Sequence, residues 1–339
     1  MLRLPRFDLL RPTTVSEAVT ALSEAGPAAM IVAGGTDLLP NMKHELFTPD
    51  VLVSLAGIEE LHGVRERSDG SISIGAMTSL SDVAGHDLVR ARAPALAQAA
   101  GLVAGPQLRT MGTLGGNVML DTRCQWYNQT HFWRQALGFC LKKDGTVCHV
   151  VAGGQKCVAA ASNDSAPALM TLSAVLTIEG PGGRRSVPID DFWLSDGIWN
   201  KKLEPGEILT EIAVPRTAAG HRGAYGKLRE RGSIDFPLLG VAVRLDLDER
   251  GAVEDADLVL TALAARPLRI AKARALLTGT RPGESGHAEA VAAVAEAAHR
   301  QCHPLENVPG DAEYRREMVR TYVARTIRAA AEGAGPVHP

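Results

Sequence analysis

Aromatic residues are scarce in this chain of 339 residues, at 4%, and neither sign of charge is in excess. The formal net charge is −2 and the isoelectric point is about 6.6, so there is no basic field to hold nucleic acid or an anionic membrane surface. No apolar run approaches the roughly 20 residues that a membrane-spanning helix needs. These absences predict a protein with no nucleic-acid partner and no membrane span.

The first residues, MLRLPRFDLLRPTT, also lack the apolar run of a secretory signal. We therefore expect a reducing, cytoplasmic location, in which disulfides are rare. Hydrophobic residues make up 45% and charged residues 22%, as is ordinary for a globular protein. The length exceeds what one core usually fills, so two or more domains are expected.

The cysteines lack the paired C-x2-C spacing that marks most structural zinc sites. Four of them lie within 34 residues in the pattern C-x15-C-x7-C-x8-C, and these are Cys124, Cys140, Cys148 and Cys157. A cuboidal iron–sulfur cluster needs four thiolates. Spacing alone leaves such a cluster, a zinc site and unrelated buried thiols open as interpretations. Cys302 stands apart and is interpreted as an ordinary thiol.

Five of the fourteen aromatic residues lie between the first two of these cysteines, and they are Trp126, Tyr127, Phe132, Trp133 and Phe139. This concentration of aromatic residues predicts a segment whose side chains pack together or against another group. The aromatic side chains would seal a cluster from water, contact a partner chain or form a local core.

Two glycine turns stand out in the first half of the chain. An apolar run at 29–33 leads into Gly34-Gly35-Thr36-Asp37-Leu38, and the second turn is Gly112-Thr113-Leu114-Gly115-Gly116-Asn117. Glycine lets an anion approach peptide N–H groups, so paired glycines often hold phosphates. Neither turn matches G-x-G-x-x-G or the Walker pattern, and each alone is as typical of a hairpin. Together they indicate a diphosphate held between two loops, with hydroxyl donors from Thr36 and Thr113.

Turn signals at 180–183 close a predicted strand at 174–178, and we place a domain boundary there. The first domain is expected over 1–180, with two parts at about 1–57 and 58–180. Within it, the irregular stretch at about 122–162 looks inserted, and a loop of this length is expected to be organised by a ligand.

Beyond the boundary, alternating hydrophobicity predicts an antiparallel sheet from strands at 208–214, 225–229, 239–247 and 256–264. Helices are then predicted at 268–277, at 288–299 and from about Asp311. The last helix carries an apolar stripe of Tyr314, Met318, Val319, Tyr322, Val323 and Ile327. Residues 333–339 are expected to be a frayed tail.

The two glycine turns, in this order and separation, resemble those of the FAD-binding medium subunits of the molybdenum hydroxylases, the xanthine dehydrogenase and carbon monoxide dehydrogenase group. The resemblance implies an α+β fold, with a two-part FAD-binding domain of the PCMH or vanillyl-alcohol-oxidase type followed by a C-terminal domain of antiparallel sheet and helices at 185–332. It implies FAD as cofactor, held by Val32, Ala33, Gly34, Gly35, Thr36, Asp37, Leu38, Thr113, Gly115, Gly116, Asn117, Asp164 and Lys227.

The chain departs from the family just before the second glycine turn. Leu108-Arg109-Thr110-Met111 stands where many members carry Ile-Arg-Asn. Arg229 and Arg231 share the predicted strand of Lys227, which usually faces the flavin ring, and a solvated charged strand is the alternative there.

In most members only a few residues separate the second glycine turn from the aspartate that corresponds to Asp164. In this chain more than forty residues separate them. The insertion resembles that of the 4-hydroxybenzoyl-CoA reductase β subunits, which implies a 4Fe-4S cluster on Cys124, Cys140, Cys148 and Cys157.

The resemblance implies an electron-transfer subunit that carries no catalytic residue of its own. Electrons from a low-potential, ferredoxin-like donor would pass through cluster and FAD to a 2Fe-2S small subunit and a molybdenum-cofactor large subunit. The large subunit, in a doubled heterotrimer, would convert 4-hydroxybenzoyl-CoA to benzoyl-CoA. One alternative is the FAD subunit of an oxidative molybdenum hydroxylase acting on an aldehyde, thioester or N-heterocycle. Another, of a different class, is a non-redox zinc-binding structural protein.

Overall fold

The computed structural model describes residues 2–338, whose strands form three sheets. The strands are β1 (Asp8–Leu10), β2 (Ala29–Val32), β3 (Val51–Ser54), β4 (Val64–Glu66), β5 (Ile72–Gly75), β6 (Val175–Gly180), β7 (Gly183–Pro188), β8 (Ile208–Val214), β9 (His221–Leu228), β10 (Leu239–Leu247), β11 (Val253–Thr261) and β12 (Leu268–Arg269). The α-helices are α1 (Val15–Ala25), α2 (Leu38–Lys43), α3 (Leu80–Gly85), α4 (Asp87–Arg92), α5 (Pro94–Gly101), α6 (Pro106–Met111), α7 (Leu114–Val118), α8 (His131–Ala136), α9 (Ser165–Thr171), α10 (Ala273–Leu277), α11 (Ser285–Gln301) and α12 (Ala312–Glu332). None of these helices is both long and apolar enough to cross a bilayer.

A small parallel sheet in the order β1-β3-β2 begins the fold, with α1 packed against it. The start of α1 is set by its cap: Thr14 Oγ1 accepts a hydrogen bond from Glu17 N at 3.2 Å, and the Glu17 carboxylate accepts one from Thr13 N at 2.7 Å. Ala18 and Leu22 turn the apolar face of the helix into the core. The sheet positions the first glycine turn, which leaves the end of β2.

The second sheet has five strands in the order β4-β5-β8-β6-β7, and all its pairings are antiparallel. β8 lies in the middle, with Ile212 opposite Ile74 of β5 on one side and Leu176 of β6 on the other. The expected boundary at 180–185 therefore cuts this sheet, because β7 and β8 follow it in the chain yet pair with strands that precede it. Alternation at 208–214 predicts a strand correctly, but it does not specify which sheet the strand joins.

The third sheet is antiparallel, in the order β12-β11-β10-β9, and it is covered by α11 and α12. β10 occupies the predicted residues 239–247, whereas the predicted helix at 268–277 is the short strand β12 followed by α10. Tyr225, Ala242 and Val259 of this sheet pack into the core of the five-stranded sheet. The two halves of the chain thus share one packed interface.

Within the described residues 333–338 the tail is not frayed as expected, and Pro339 lies outside the described residues. Lys227 N donates to the carbonyl oxygen of Val337 at 2.8 Å, and Val337 N donates to that of Tyr225 at 3.0 Å. The tail therefore lies along the free edge of β9 and satisfies backbone groups there.

The insertion at 122–162 contains the short helix α8 and is closed at its base by a β-bridge between Arg123 and Ala160. The backbone N–H of each residue donates to the carbonyl of the other at 2.8 Å. The two ends of the insertion are thereby held together.

Candidate functional site

The first glycine turn lies against the segment that leads into the second. A Cβ atom on Gly34 would stand 1.8 Å from the carbonyl oxygen of Met111, so only glycine fits this contact. Gly35 has a φ of +70°, which residues with a side chain rarely adopt. A Cβ on Gly112 would lie 3.4 Å from Thr36 Oγ1. The two turns that the sequence predicts as a pair are therefore in contact.

The second turn continues into α7. Thr113 caps this helix, and its Oγ1 accepts a hydrogen bond from Gly116 N at 3.0 Å. Gly115 is required by packing, because a Cβ there would lie 2.7 Å from the Cβ of Ala76. A Cβ on Gly116 would lie 3.9 Å from the Cβ of Ala33 in the first turn. Gly116 and Ala33 are thus neighbours across the two turns.

Asn117 connects the second turn to the start of α9. Its Oδ1 accepts hydrogen bonds from Ser165 N, at 3.0 Å, and from Ser165 Oγ. Asp164, the residue before α9, is buried. The turn and the predicted aspartate, far apart in the sequence, are therefore neighbours.

Asp164 forms a buried cluster with two residues of β9. Its carboxylate accepts hydrogen bonds from Tyr225 Oη at 2.8 Å and from Lys227 Nζ at 2.9 Å. Burial raises the pKa of Asp164, although the charge of Lys227 opposes the shift. Burial and the Asp164 carboxylate together raise the pKa of Tyr225 well above its ordinary value. The structure thus brings the predicted residues Asp164 and Lys227 into direct contact.

The three basic residues of this strand region have different surroundings. Lys227 is fully buried on Asp164, and Arg229 lies beside it, with Nη1 donating to the carbonyl oxygen of Leu102 at 3.4 Å. Arg231 is on the surface, where its Nε donates to Asp235 at 2.7 Å. Only the first two therefore belong to the candidate site.

The first turn is tied to the insertion by one ion pair. Val32 ends β2 and Leu38 begins α2, so both frame the turn. Asp37, between them, lies 3.2 Å from Arg123 Nη1, and the Arg123 guanidinium stacks 3.7 Å from the ring centre of Phe236. Burial raises the pKa of Asp37 and lowers that of Arg123, while their mutual attraction opposes both shifts. This ion pair therefore holds the first turn beside Arg123, the residue that precedes Cys124 in the chain.

The four clustered cysteines line a single cavity that is partly open to solvent. Cys124 and Cys140 are buried, Cys148 and Cys157 are half-buried, and all are free thiols. Burial raises the pKa of Cys124 to about 12, and the charges of the other three cysteines add to the shift. Within residues 2–338, no three His, Cys, Asp or Glu side chains converge closely enough to hold a single metal ion. The four thiols therefore line one cavity without forming a single-ion site among the described residues.

Lys142 lines the same cavity and anchors the insertion. Its Nζ donates to Asp121 Oδ1 at 2.9 Å and to the carbonyl oxygen of Gly197 at 2.8 Å, and it lies 4.7 Å from the ring centre of Tyr127. Gly197 N in turn donates to the carbonyl oxygen of Cys157 at 3.1 Å. The loop around Gly197 thus holds both Lys142 and the last cysteine.

Lys201 lies near this anchor and is fully buried, with Nζ donating to Asn200 Oδ1 at 2.7 Å. Burial lowers its pKa to about 8, opposed by Asp121 and Asp37 and assisted by Lys142. Charged groups therefore run from the first turn to the cysteine cavity.

Sequence reasoning missed several residues of this site, namely Arg123, Lys142, Lys201 and Tyr225. A signal exists for Tyr225, since residues two apart on a strand share a face and Lys227 is the predicted member. No local pattern marks the other three, because groups from distant segments act on each of them in addition to any local partner.

Two family models match the chain. The model of the FAD binding domain in molybdopterin dehydrogenase matches residues 5–217, and that of the CO dehydrogenase flavoprotein C-terminal domain matches residues 223–330. These matches confirm the predicted FAD-binding class and the order of the two domains.

Known relatives agree over nearly the whole length. The carbon monoxide dehydrogenase medium chain of Hydrogenophaga pseudoflava is 34% identical over 96% of this chain and 97% of its own. The aldehyde oxidoreductase FAD-binding subunit PaoB of Escherichia coli (strain K12) is 33% identical over 80% and 86%. The solved structure of carbon monoxide dehydrogenase from Hydrogenophaga pseudoflava, in the form lacking the Mo-pyranopterin moiety, matches with a TM-score of 0.79 at 34% identity, over 98% of this chain and 100% of that chain. The predicted α+β fold is thus confirmed, and the chain belongs to the FAD-binding medium subunits of the molybdenum hydroxylase family.

Proposed function

We propose that this chain binds FAD between its two glycine turns and relays electrons within a molybdenum enzyme. The observation that carries the proposal is the contact between the turns, where a Cβ on Gly34 would overlap the Met111 carbonyl and Gly116 faces Ala33. Small residues of both turns meet at this contact, and glycine at such a position lets an anion approach the backbone closely, as a diphosphate requires. The residues present therefore fit the cofactor that the family binds.

Other residues would hold the remaining parts of FAD. Asn117 fixes the second turn to α9, and Asp164 with Lys227 offers buried polar groups on the side of β9. When bound, FAD stores two electrons and releases them singly, which suits a relay between carriers of different stoichiometry. The chain itself binds, orients and shields the cofactor.

We further propose that Cys124, Cys140, Cys148 and Cys157 hold a 4Fe-4S cluster. The support is that four free thiols line one cavity, with the aromatic side chains of Trp126 and Tyr127 also in its wall. A mononuclear zinc site would need the sulfurs within roughly 4 Å of one another, since each Zn–S bond is about 2.3 Å. No such convergence of three ligand side chains occurs within residues 2–338, which favours a cluster over a single ion.

The partners that we propose are a molybdenum-cofactor large subunit and a 2Fe-2S small subunit in a doubled heterotrimer. The relatives are named as a medium chain and an FAD-binding subunit, which supports assembly with other chains.

For the reaction of the whole complex, the first candidate is oxidation of CO, an aldehyde or an N-heterocycle. The names of the relatives support it, since they include carbon monoxide dehydrogenase, aldehyde oxidoreductase and xanthine dehydrogenase. Electrons would then leave the complex through this subunit.

The second candidate is reductive removal of the phenolic hydroxyl of 4-hydroxybenzoyl-CoA, with a ferredoxin-like donor. The four-cysteine cavity favours it, because an additional one-electron centre next to the FAD site gives a one-electron donor a point of entry.

Cofactor analysis of protein purified without oxygen tests the proposal. We expect about one FAD and about four iron atoms with sulfide per chain. Protein without flavin would overturn the FAD assignment, and zinc in place of iron would overturn the cluster. Replacing Cys140 by Ser should abolish the cluster signal in EPR of the reduced protein while FAD is retained.

Activity of the intact complex separates the two reactions. Turnover of 4-hydroxybenzoyl-CoA with reduced viologen would support the reductive candidate, and its absence together with dye reduction by an aldehyde or heterocycle would support the oxidative one.

A further inference from the structure

A single ammonium group connects the chain segments that carry the clustered cysteines. Lys142 lines the cysteine cavity, two residues after Cys140, and 4% of its side chain is exposed. Its Nζ donates to Asp121 Oδ1 at 2.9 Å and to Thr122 Oγ1 at 2.6 Å, and Thr122 is two residues before Cys124. Lys142 therefore joins the segment of Cys140 to the segment of Cys124.

The same ammonium group reaches a third segment through Gly197. Lys142 Nζ donates to the carbonyl oxygen of Gly197 at 2.8 Å, and Gly197 N donates to that of Cys157 at 3.1 Å. Burial raises the pKa of the Cys157 thiol, and the backbone of Ala159 and the charge of Lys142 oppose the shift. The positive charge of Lys142 therefore acts on at least one of the four thiols.

The next residue in the chain, Lys143, has different surroundings. Its Nζ lies 3.8 Å from Asp144 Oδ1, 37% of its side chain is exposed, and it is not part of the cavity wall. Water and salt screen an exposed charge of this kind much more than a buried one. Of two adjacent lysines, only Lys142 is thus placed to act on a group in the cavity.

We propose that Lys142 sets the reduction potential of the cluster held by the four cysteines, by favouring its reduced state. This inference rests on the 4Fe-4S cluster proposed above. The cluster and its four thiolates together are an anion, and one electron from a low-potential donor adds one negative charge while no bond forms or breaks. A fixed positive charge in the cavity wall lowers the free energy of the reduced state and so raises the potential.

The carboxylate partner of Lys142 supplies a test of the sign. Asp121 is not part of the cavity wall, so Lys142 is the charge of this ion pair that lines the cavity. Asparagine in place of Asp121 keeps an oxygen that accepts the Lys142 hydrogen bond but removes the negative charge. Loss of the positive charge and loss of the negative charge should therefore shift the potential in opposite directions. Loosening of the insertion would instead admit water in both variants and shift both potentials the same way.

Redox titration followed by EPR tests the proposal on full-length protein that is purified without oxygen and holds both FAD and the cluster. Lys142→Met should lower the one-electron midpoint potential of the cluster by about 59 mV or more, which corresponds to a tenfold change in the equilibrium constant. Asp121→Asn should raise the potential. Lys143→Met is the matched control and should leave it unchanged, since Lys143 is partly exposed and lies outside the cavity wall.

The proposal is overturned if Lys142→Met keeps its cluster at an unchanged potential, or if Lys142→Met and Asp121→Asn shift the potential in the same direction. An equal shift in Lys143→Met would assign the effect to general surface charge and would also overturn it. If Lys142→Met does not retain iron, Asp121→Asn must still raise the potential, because the ammonium group keeps its bonds to Thr122 and Gly197 in that variant. Wild-type protein without iron and sulfide would instead overturn the cluster itself, which metal analysis reveals before any titration.

Discussion

The buried carboxylate of Asp164 shows that a single charged residue in the interior needs a partner of opposite charge. It is 2% exposed and is neutralised by Lys227, which is itself 0% exposed, at 2.9 Å. A buried charge without its partner is strongly unfavourable, whereas a surface pair contributes little. The pair of Arg231 and Asp235 is such a surface case, since the Arg231 side chain is 67% exposed.

Lys227→Met should therefore lower the free energy of unfolding by about 3–5 kcal/mol at neutral pH, because it leaves Asp164 buried and unpaired. The matched variant Arg231→Met should cost less than about 1 kcal/mol. Urea unfolding of both variants measures the difference. Equal losses would contradict the role of the buried pair, and Asp164→Asn combined with Lys227→Met should recover part of the stability.

Lys201 leads to a pH-dependent prediction. Burial lowers its pKa to about 8, against an ordinary value of 10.5. Between these values the unfolded chain keeps a proton that the folded chain has released, so the contribution of Lys201 to stability rises with pH from about 8 to 10.5. The size of the shift corresponds to about 3 kcal/mol.

The contribution of Lys201 can be isolated by measuring the free energy of unfolding of the wild type and of Lys201→Met near pH 7 and near pH 10. The stability of the wild type relative to the variant should improve by about 2.5 kcal/mol on going to the higher pH, since the variant has no ammonium to discharge. A difference between the two proteins that does not depend on pH would show that Lys201 is solvated in the folded state.

For whole elements, hydrophobic periodicity predicts that a strand forms better than it predicts which strands it pairs with. β10 spans 239–247 as predicted, and β8 also forms, but β8 joins β5 and β6 of the first domain. Both strands alternate, and alternation carries no information about which edge a strand meets. The predicted helix at 268–277 fails at its start because residues 268–269 pair with β11 instead, a tertiary contact that local propensity does not contain.

The long helix α12 shows the same limit. Of its predicted stripe, Val319, Tyr322, Val323 and Ile327 are buried, whereas Tyr314 is 48% exposed. Tyr314 lies in the first turn after the Asp311 cap, and there its neighbour Arg315 takes the buried position. Helical periodicity gives the face correctly but not that a charged residue takes its first buried position.

The residues of the candidate site likewise divide into those that the sequence predicts and those that it does not. The glycine turns were predictable because close backbone approach demands glycine itself, as at Gly34. Lys142 was not, because its partners Asp121 and Gly197 are brought to it only by the folded path of the insertion.

The insertion depends on the loop at Gly197. A Cβ on this residue would stand 2.6 Å from both the carbonyl oxygen of Cys157 and the backbone N of Ala159. Gly197→Ala should therefore displace the end of the insertion, with a loss of about 1–3 kcal/mol and faster limited proteolysis within 122–162. Gly182→Ala is the control, since a Cβ there meets nothing within 4 Å. Proteolysis at equal rates in both variants would show that the insertion is held by other contacts.

At the scale of the whole molecule, segments from both domains meet at Tyr225. The side chain of Gln98, in α5, accepts a hydrogen bond from Tyr225 N at 2.8 Å and donates to the carbonyl oxygen of Ala334 at 3.1 Å. The tail residue Val337 donates to the carbonyl oxygen of Tyr225, and the Tyr225 hydroxyl donates to Asp164. One residue of β9 thus connects the first domain, the third sheet and the C-terminal tail at the candidate FAD site.

The tail should therefore influence the FAD site without being part of it. Val337→Pro removes the N–H that donates to Tyr225, whereas Val337→Ala keeps it. Because one hydrogen bond contributes about 1 kcal/mol, the proline variant should bind FAD several-fold more weakly, up to roughly tenfold, with a small loss of global stability. Titration of FAD-free protein with FAD, followed by flavin fluorescence, compares the two variants. Equal affinities would mean that β9 keeps Tyr225 and Lys227 in place by its pairing with β10 alone, and that the tail only covers an edge.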